Sequence, residues 1–80
     1  MEYTIKPLNE NQGMNCDVRF SGNRVTALAK ASCIAADLQN ALPGATITCR
    51  VRQADETGPS WIVTPDGKIW DEKTGNAVRL

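Results

Sequence analysis

Histidine is missing from the 80 residues of the chain. This absence removes the side chain that most often serves as acid or base near neutral pH, and also the commonest ligand of transition metals. A glycine-rich phosphate loop is missing too, and the stretch PDGKIWDEK lacks the ligand spacing of a calcium loop. Asp71 and Glu72 are neighbours on a predicted strand, so they point to opposite faces and form no catalytic pair. We therefore expect no enzymatic activity, no bound metal and no cofactor.

Long apolar runs and a net charge are also missing. No segment approaches the roughly 20 apolar residues that a bilayer span needs. The stretch MEYTIKPLNENQG has neither a basic start nor an apolar run, which predicts a cytoplasmic protein without a secretory signal. Nine Lys and Arg balance nine Asp and Glu, so no bulk field favours nucleic acid or an anionic membrane.

Cysteine is scarce, with three residues at wide spacing: Cys16, Cys33 and Cys49. An odd, scattered set predicts reduced thiols rather than a disulfide framework. Cys16 and Cys49 alternate with apolar residues and are predicted to be buried in strands, whereas Cys33 falls on the outer side of a helix. The chain shows no repeat, low-complexity tract or break in composition, so residues 1–80 are predicted to form a single domain.

The helix is the clearest element in the sequence. RVTALAKASCIAADLQNAL is rich in Ala and Leu, follows the capping candidates Ser21 and Asn23, and precedes Pro43 and Gly44. At 100° per residue one stripe is apolar and is predicted to face a sheet: Ala27, Leu28, Ala31, Ile34, Ala35, Leu38 and Leu42.

Strand patterns flank the helix on both sides. EYTIKPL, ended by Pro7, and NCDVRFS predict a first hairpin, and ATITCRVR alternates with period two. WIVT and KIW flank Pro65-Asp66-Gly67, a strong hairpin signal, and AVRL follows as an edge strand or tail. The fold class is therefore α+β: a single antiparallel sheet of about five strands, order ββαβββ, with one helix packed on one face. Its helix-facing side is predicted to hold Tyr3, Ile5, Cys16, Val18, Phe20, Ile47, Cys49 and Val51.

Alternation leaves four cations on the other side of this sheet. These residues, the basic face, are Lys6, Arg19, Arg50 and Arg52, with Thr46 and Thr48 between them. Arginines on a flat surface bind carboxylate or phosphate bidentately, and a neighbouring tryptophan, predicted to be Trp70, anchors such contacts. The alternative is an ordinary solvated face that also carries acids such as Asp17.

Charge is distributed unevenly along the chain. Residues 16–53 carry a net charge of +3 and residues 54–72 a net charge of −4. The acidic hairpin, defined by Asp55, Glu56, Asp71 and Glu72 beside Trp70, is a second candidate contact with a basic groove of a partner. Ordinary solubilising loops are the alternative.

A second stripe on the helix consists of small residues. This helix flank, Val25, Ala29, Cys33 and Ala36, allows another backbone to approach closely and predicts a homodimer interface. Alternatively, its alanines only favour helix formation.

The tiny, histidine-free chain with SWIVTPDGKIWDE after the helix and strand resembles small phage-encoded anti-CRISPR proteins, in particular type I inhibitors built as a sheet covered by one helix. The resemblance covers the full chain in length and element order. It implies a non-catalytic protein that binds a bacterial CRISPR effector, often the Cascade complex, and blocks target DNA engagement. The implied contacts are the basic face and the acidic hairpin.

Two other classes remain open. MEYTIKPLNENQG, with the strand and Ala-rich helix that follow, resembles the partial RNase-H-like domain of HicB-type antitoxins over residues 1–42. That resemblance implies neutralisation of a small RNA-cleaving toxin, although the strand sequence that these antitoxins carry between hairpin and helix is missing. The third class, a sequence-tolerant nucleic-acid binder, rests on the basic face alone.

Overall fold

The computed structural model describes residues 1–10, 12–14, 16–53 and 58–79. This part of the chain forms one helix and six strands: β1 (Glu2–Asn9), β2 (Gln12–Gly13), β3 (Val18–Ser21), α1 (Arg24–Ala41), β4 (Ile47–Gln53), β5 (Ser60–Val63) and β6 (Ile69–Asp71). The strands form a single antiparallel sheet on which α1 lies. The predicted α+β class is thereby confirmed.

The strand order in the sheet is β2-β1-β4-β5-β6, and β3 also pairs with β1, on the side of β1 that carries β2. β1 and β4 form the longest pairing, over seven residue pairs that run from Tyr3↔Gln53 to Asn9↔Ile47. This central pair sets the register of every side chain on both faces, because partners across an antiparallel ladder point the same way.

Pro7 accounts for the division of the predicted second strand into β2 and β3. The sequence predicted that the first strand would end at Pro7, but β1 continues through it. The Pro7 carbonyl accepts a hydrogen bond from Met14 N at 3.1 Å, so its imide nitrogen also faces the second strand. Proline has no N–H to donate there, and regular pairing resumes only at Ile5↔Val18.

The core lies between α1 and one face of the sheet. Its buried residues are Tyr3, Ile5, Ala27, Leu28, Ala31, Ala35, Ile47, Cys49, Val51, Trp61, Val63 and Ile69, with Val18, Phe20, Ile34 and Leu38 partly buried against them. The prediction of a buried position is wrong for two residues. Cys16 is exposed, because it lies before β3 and so does not take part in the alternation of buried and exposed side chains along that strand. Leu42 is 39% exposed, because α1 ends at Ala41 and the Leu42 backbone leaves helical geometry.

Both ends of α1 are fixed by side-chain amides. Asn23 caps the first turn, as its Oδ1 accepts a hydrogen bond from Thr26 N at 2.8 Å. Gln39 ties the other end to β4: its Nε2 donates to Ala45 O at 2.6 Å and its Oε1 accepts from Ile47 N at 3.1 Å. These bonds satisfy backbone groups in the turn from helix to sheet. In the described residues no helix is both long and apolar enough to cross a membrane.

The hairpin predicted around Pro65-Asp66-Gly67 is present between β5 and β6. Gly67 has φ +89°, a conformation that glycine adopts without strain. The predicted tail or edge strand lies beside β6, where Val78 N donates to Ile69 O at 2.8 Å and Ala77 bridges to Trp70. The outer edge of β6 is therefore partly covered.

Candidate binding surface on the open face of the sheet

The sheet face opposite α1 is called the open face, and the register places a row of unlike side chains across its middle. Lys6 pairs with Arg50, Arg50 with Ile62, and Ile62 with Trp70. This middle row thus runs from two cations on β1 and β4 to two apolar side chains on β5 and β6. All four residues are half-buried, so each presents part of its surface to solvent.

A second row lies beside the first. Arg19 pairs with Thr4, Thr4 with Arg52, and Arg52 with Ser60. Arg19 and Arg52 are both exposed. The structure therefore brings together all four residues of the basic face, which come from three strands. Thr48 lies on the same side, paired with Leu8, whereas Thr46 precedes β4.

Arg50 is held in place by a neighbouring carboxylate. Its Nη2 lies 2.9 Å from Glu72 Oε2, and Glu72 Oε1 accepts a hydrogen bond from Ser60 Oγ at 2.8 Å. Arg50 Nε is buried and has no hydrogen-bond partner among the described residues. One side of the guanidinium is thus fixed by a carboxylate of this chain, in a geometry that restricts its rotamers.

Among the described residues, the acidic hairpin predicted from the sequence does not form a separate acidic surface. Glu72 joins the open face through Arg50 and so offsets part of its positive charge. The Asp71 carboxylate accepts hydrogen bonds from Lys73 N and Thr74 N, at 2.8 Å and 3.1 Å, and closes the turn after β6. Asp55 and Glu56 lie outside the described residues.

The four aromatic residues are divided unequally between the two sides of the sheet. Tyr3 and Trp61 are buried in the core with ring centroids 6.4 Å apart. Phe20 packs on the core side beneath the ammonium of Lys30, 5.9 Å from its ring centroid. Trp70 alone lies on the open face, as predicted. This face therefore lacks the set of stacked aromatics with which sheet proteins bind single-stranded RNA.

Sequence reasoning missed two members of the open face, Ser60 and Ile62. Both could have been predicted from the sequence, because they alternate along β5 with Trp61 and Val63, whose side chains are buried in the core.

The helix flank is on the other side of the molecule. Val25, Ala29 and Cys33 are exposed and Ala36 is half-buried, so three of the four side chains are accessible on the outer surface of α1. Val25 is 51% exposed. The predicted dimer interface remains a prediction.

The thiols occupy contrasting environments. Cys49 is fully buried, and that burial, with a smaller contribution from the Cys16 thiol, raises its pKa from 9.0 to about 11. A thiol with a raised pKa is a poor nucleophile at neutral pH. Within the described ranges, no three Cys, Asp or Glu side chains converge in a way that would hold a metal ion.

Comparison with known proteins adds no family to this description. No protein-family model matches the chain, no curated protein matches its sequence, and no solved structure matches its fold. Function is therefore inferred from the residues of the open face.

Proposed function

We propose that the protein is a non-catalytic inhibitor that binds an acidic surface of a larger bacterial protein assembly through its open face. The observation that carries the proposal is the middle row, in which Lys6 and Arg50 stand directly opposite each other. Glu72 already pairs with Arg50, and the Lys6 side chain packs against Gly13 on β2. Together with exposed Arg19 and Arg52, Lys6 and Arg50 place four cations on one face of the sheet, which suits an acidic partner.

The rest of the row supports a protein partner. Arg50 continues into Ile62 and Trp70, so two cations and two apolar side chains lie side by side over a short distance. Tryptophan and arginine are the residue types most enriched among those that dominate binding energy in protein interfaces. Exposed Arg19 and Arg52 flank this row, where charge increases association rate and selectivity.

The finer proposal is that the assembly is a type I CRISPR effector and that the protein acts as an anti-CRISPR inhibitor. Its support is the resemblance in length and element order, together with the basic face. An inhibitor that is bound to the surface of such a complex and obstructs the path of target DNA would block target engagement without any chemistry.

The test is binding to purified type I effector complexes loaded with guide RNA, followed by target DNA binding in a gel-shift assay. We expect Arg52→Glu and Trp70→Ala each to weaken complex formation about tenfold or more. Arg24→Glu is the matched control, because it makes the same charge change at an exposed site on α1 and should bind like the unaltered protein.

Two other results would overturn the proposal. Co-purification with a small RNA-cleaving toxin, without affinity for any effector, would assign the chain to the antitoxin class. Affinity for oligonucleotides that falls steeply with salt and is lost in Arg52→Glu would show that the basic face binds phosphates directly.

A further inference from the structure

The two edges of the sheet differ in how far other parts of the chain cover them. Beyond β6, Val78 N donates to Ile69 O at 2.8 Å and Ala77 bridges to Trp70, so residues after β6 cover part of that edge. At the other side of the sheet, β3 pairs with β1 and with no further strand in the described part of the chain. The outer side of β3 is therefore an open strand edge, where a sheet can add another strand.

The register of the ladder shows which backbone groups of β3 point outward. Gly22 N donates to Met1 O at 3.0 Å, and this pair continues the β1–β3 ladder by one residue. Hydrogen-bonded and non-hydrogen-bonded pairs alternate along an antiparallel ladder, so Arg19 and Ser21 turn their N–H and C=O groups away from β1. Both residues are exposed. β3 thus directs two donors and two acceptors outward.

A second copy of β3 matches this pattern under a two-fold axis. Outward-facing residues must oppose outward-facing residues, so the axis can pass through Arg19, Phe20 or Ser21. A register centred on Arg19 or on Ser21 bonds just one of the two outward-facing residues within β3, and the former also sets like charges opposite each other. In the register centred on Phe20, Arg19 of each copy exchanges both backbone hydrogen bonds with Ser21 of the other. All the outward-facing groups of β3 are then bonded.

The side chains are complementary in the register centred on Phe20. On the core side, two half-buried Phe20 rings meet as a cross-strand aromatic pair. On the open face, Ser21 is the cross-strand neighbour of Glu2, so Arg19 of one copy faces Glu2 of the other across a small serine. Arg19 and Glu2 are both exposed. The two-fold axis repeats this contact and so gives two pairs of opposite charge.

We infer that the protein forms a symmetric dimer in which two copies of β3 pair in the register centred on Phe20. The pairing joins two six-stranded sheets into one continuous antiparallel sheet. Its occupant is a second copy of this chain, because Arg19 and Glu2 supply opposite charges to each other across the axis. The middle row of the open face takes no part in the contact, so the inference does not depend on the proposed function.

The test is amide hydrogen exchange of the full chain by ¹⁵N–¹H NMR over a concentration series, with the mass followed by light scattering. We expect a monomer–dimer equilibrium in which exchange at Arg19 and Ser21 slows as the concentration rises. Exchange at Val18 and Phe20 should change little, because their N–H groups already face β1. A monomer at every concentration, or a dimer that leaves Arg19 and Ser21 unprotected, would overturn the inference.

Ser21→Pro removes the outward N–H of β3 without touching the hydrogen bonds to β1. It should weaken dimerisation about tenfold or more, because symmetry removes two intermolecular hydrogen bonds at once. Ser21→Ala is the matched control, since it keeps the N–H and should dimerise like the unaltered protein. Equal dimerisation by the proline and alanine variants would show that β3 is not the contact.

Charge reversal tests the register independently of Ser21→Pro. Arg19→Glu and Glu2→Arg should each weaken dimerisation about threefold or more, and the double variant should recover it. A double variant that stays as weak as the singles would overturn the inference, and so would dissociation by Ala29→Glu, which lies on the helix flank. Protection of Arg19 and Ser21 that requires an added protein would assign the edge to a strand of that protein instead of a second copy.

Discussion

At the scale of single residues, burial changes the chemistry of the Cys49 thiol. The sequence placed it and Cys16 in the same environment, because both alternate with apolar neighbours. Only Cys49 is buried, since β4 is a regular strand in the centre of the sheet, whereas Cys16 lies before β3. The difference arises from Pro7 on a neighbouring strand, which no local pattern around Cys16 reveals.

The raised pKa of Cys49 predicts a loss of stability in alkaline solution. An unfolded thiol ionises near 9.0 and the folded one near 11, so the contribution of Cys49 is complete below about pH 9. It is lost as the pH rises from about 9 towards 11, because the thiolate favours the unfolded chain. Urea unfolding at a series of pH values checks this, with Cys49→Ala as the control for all other titrating groups.

Alkylation gives an independent measure of the same environment. Under native conditions iodoacetamide should modify the exposed Cys16 and Cys33 well before Cys49, as read by mass spectrometry. Modification of all three thiols at one rate would contradict the buried position of Cys49.

At the scale of elements, a substitution where β1 pairs with β4 should change the stability of the fold and the affinity for the partner in opposite directions. Lys6→Glu places a carboxylate opposite Arg50, which already pairs with Glu72, and should raise the free energy of unfolding by at most about 1 kcal/mol. Urea unfolding measures the gain, which should shrink in high salt because these side chains are half-buried at the surface. The same variant should bind the effector more weakly. A variant that is no more stable at low salt would contradict this account.

The elements themselves follow from the sequence to different degrees. Asn23, the Ala-rich stripe and Pro65-Asp66-Gly67 act locally, so the helix start and the last hairpin could be predicted from their own residues. The division into β2 and β3 could not, because the missing donor of Pro7 acts across the sheet. The contacts of Glu72 with Arg50 and Ser60 were also beyond local reasoning, since they join residues far apart in sequence.

At the scale of the whole molecule, the chain offers two separate surfaces. The described residues span 33 × 24 × 20 Å, with the open face on one side of the sheet and α1 on the other. A partner on the open face therefore leaves the helix flank accessible, so inhibitor binding and self-association need not compete.

Self-association through the helix flank is tested by Ala29→Glu. Ala29 is exposed at the middle of the flank, so a dimer formed there should dissociate when a charge is buried in the contact. Light scattering should then show a fall from the dimer mass to that of the 8.7 kDa monomer. Lys30→Glu, which places the same side chain at the next position of the helix and so on a different side of it, is the control. A monomeric unaltered protein would exclude the interface.

The two tryptophans lie on opposite sides of one sheet, with Trp61 3% exposed in the core and Trp70 half-buried on the open face. Intrinsic fluorescence consequently contains two reporters within a single chain. The emission of Trp61 follows the integrity of the core, and that of Trp70 responds to whatever covers its face. Trp70→Phe thus separates unfolding from occupancy without any external dye.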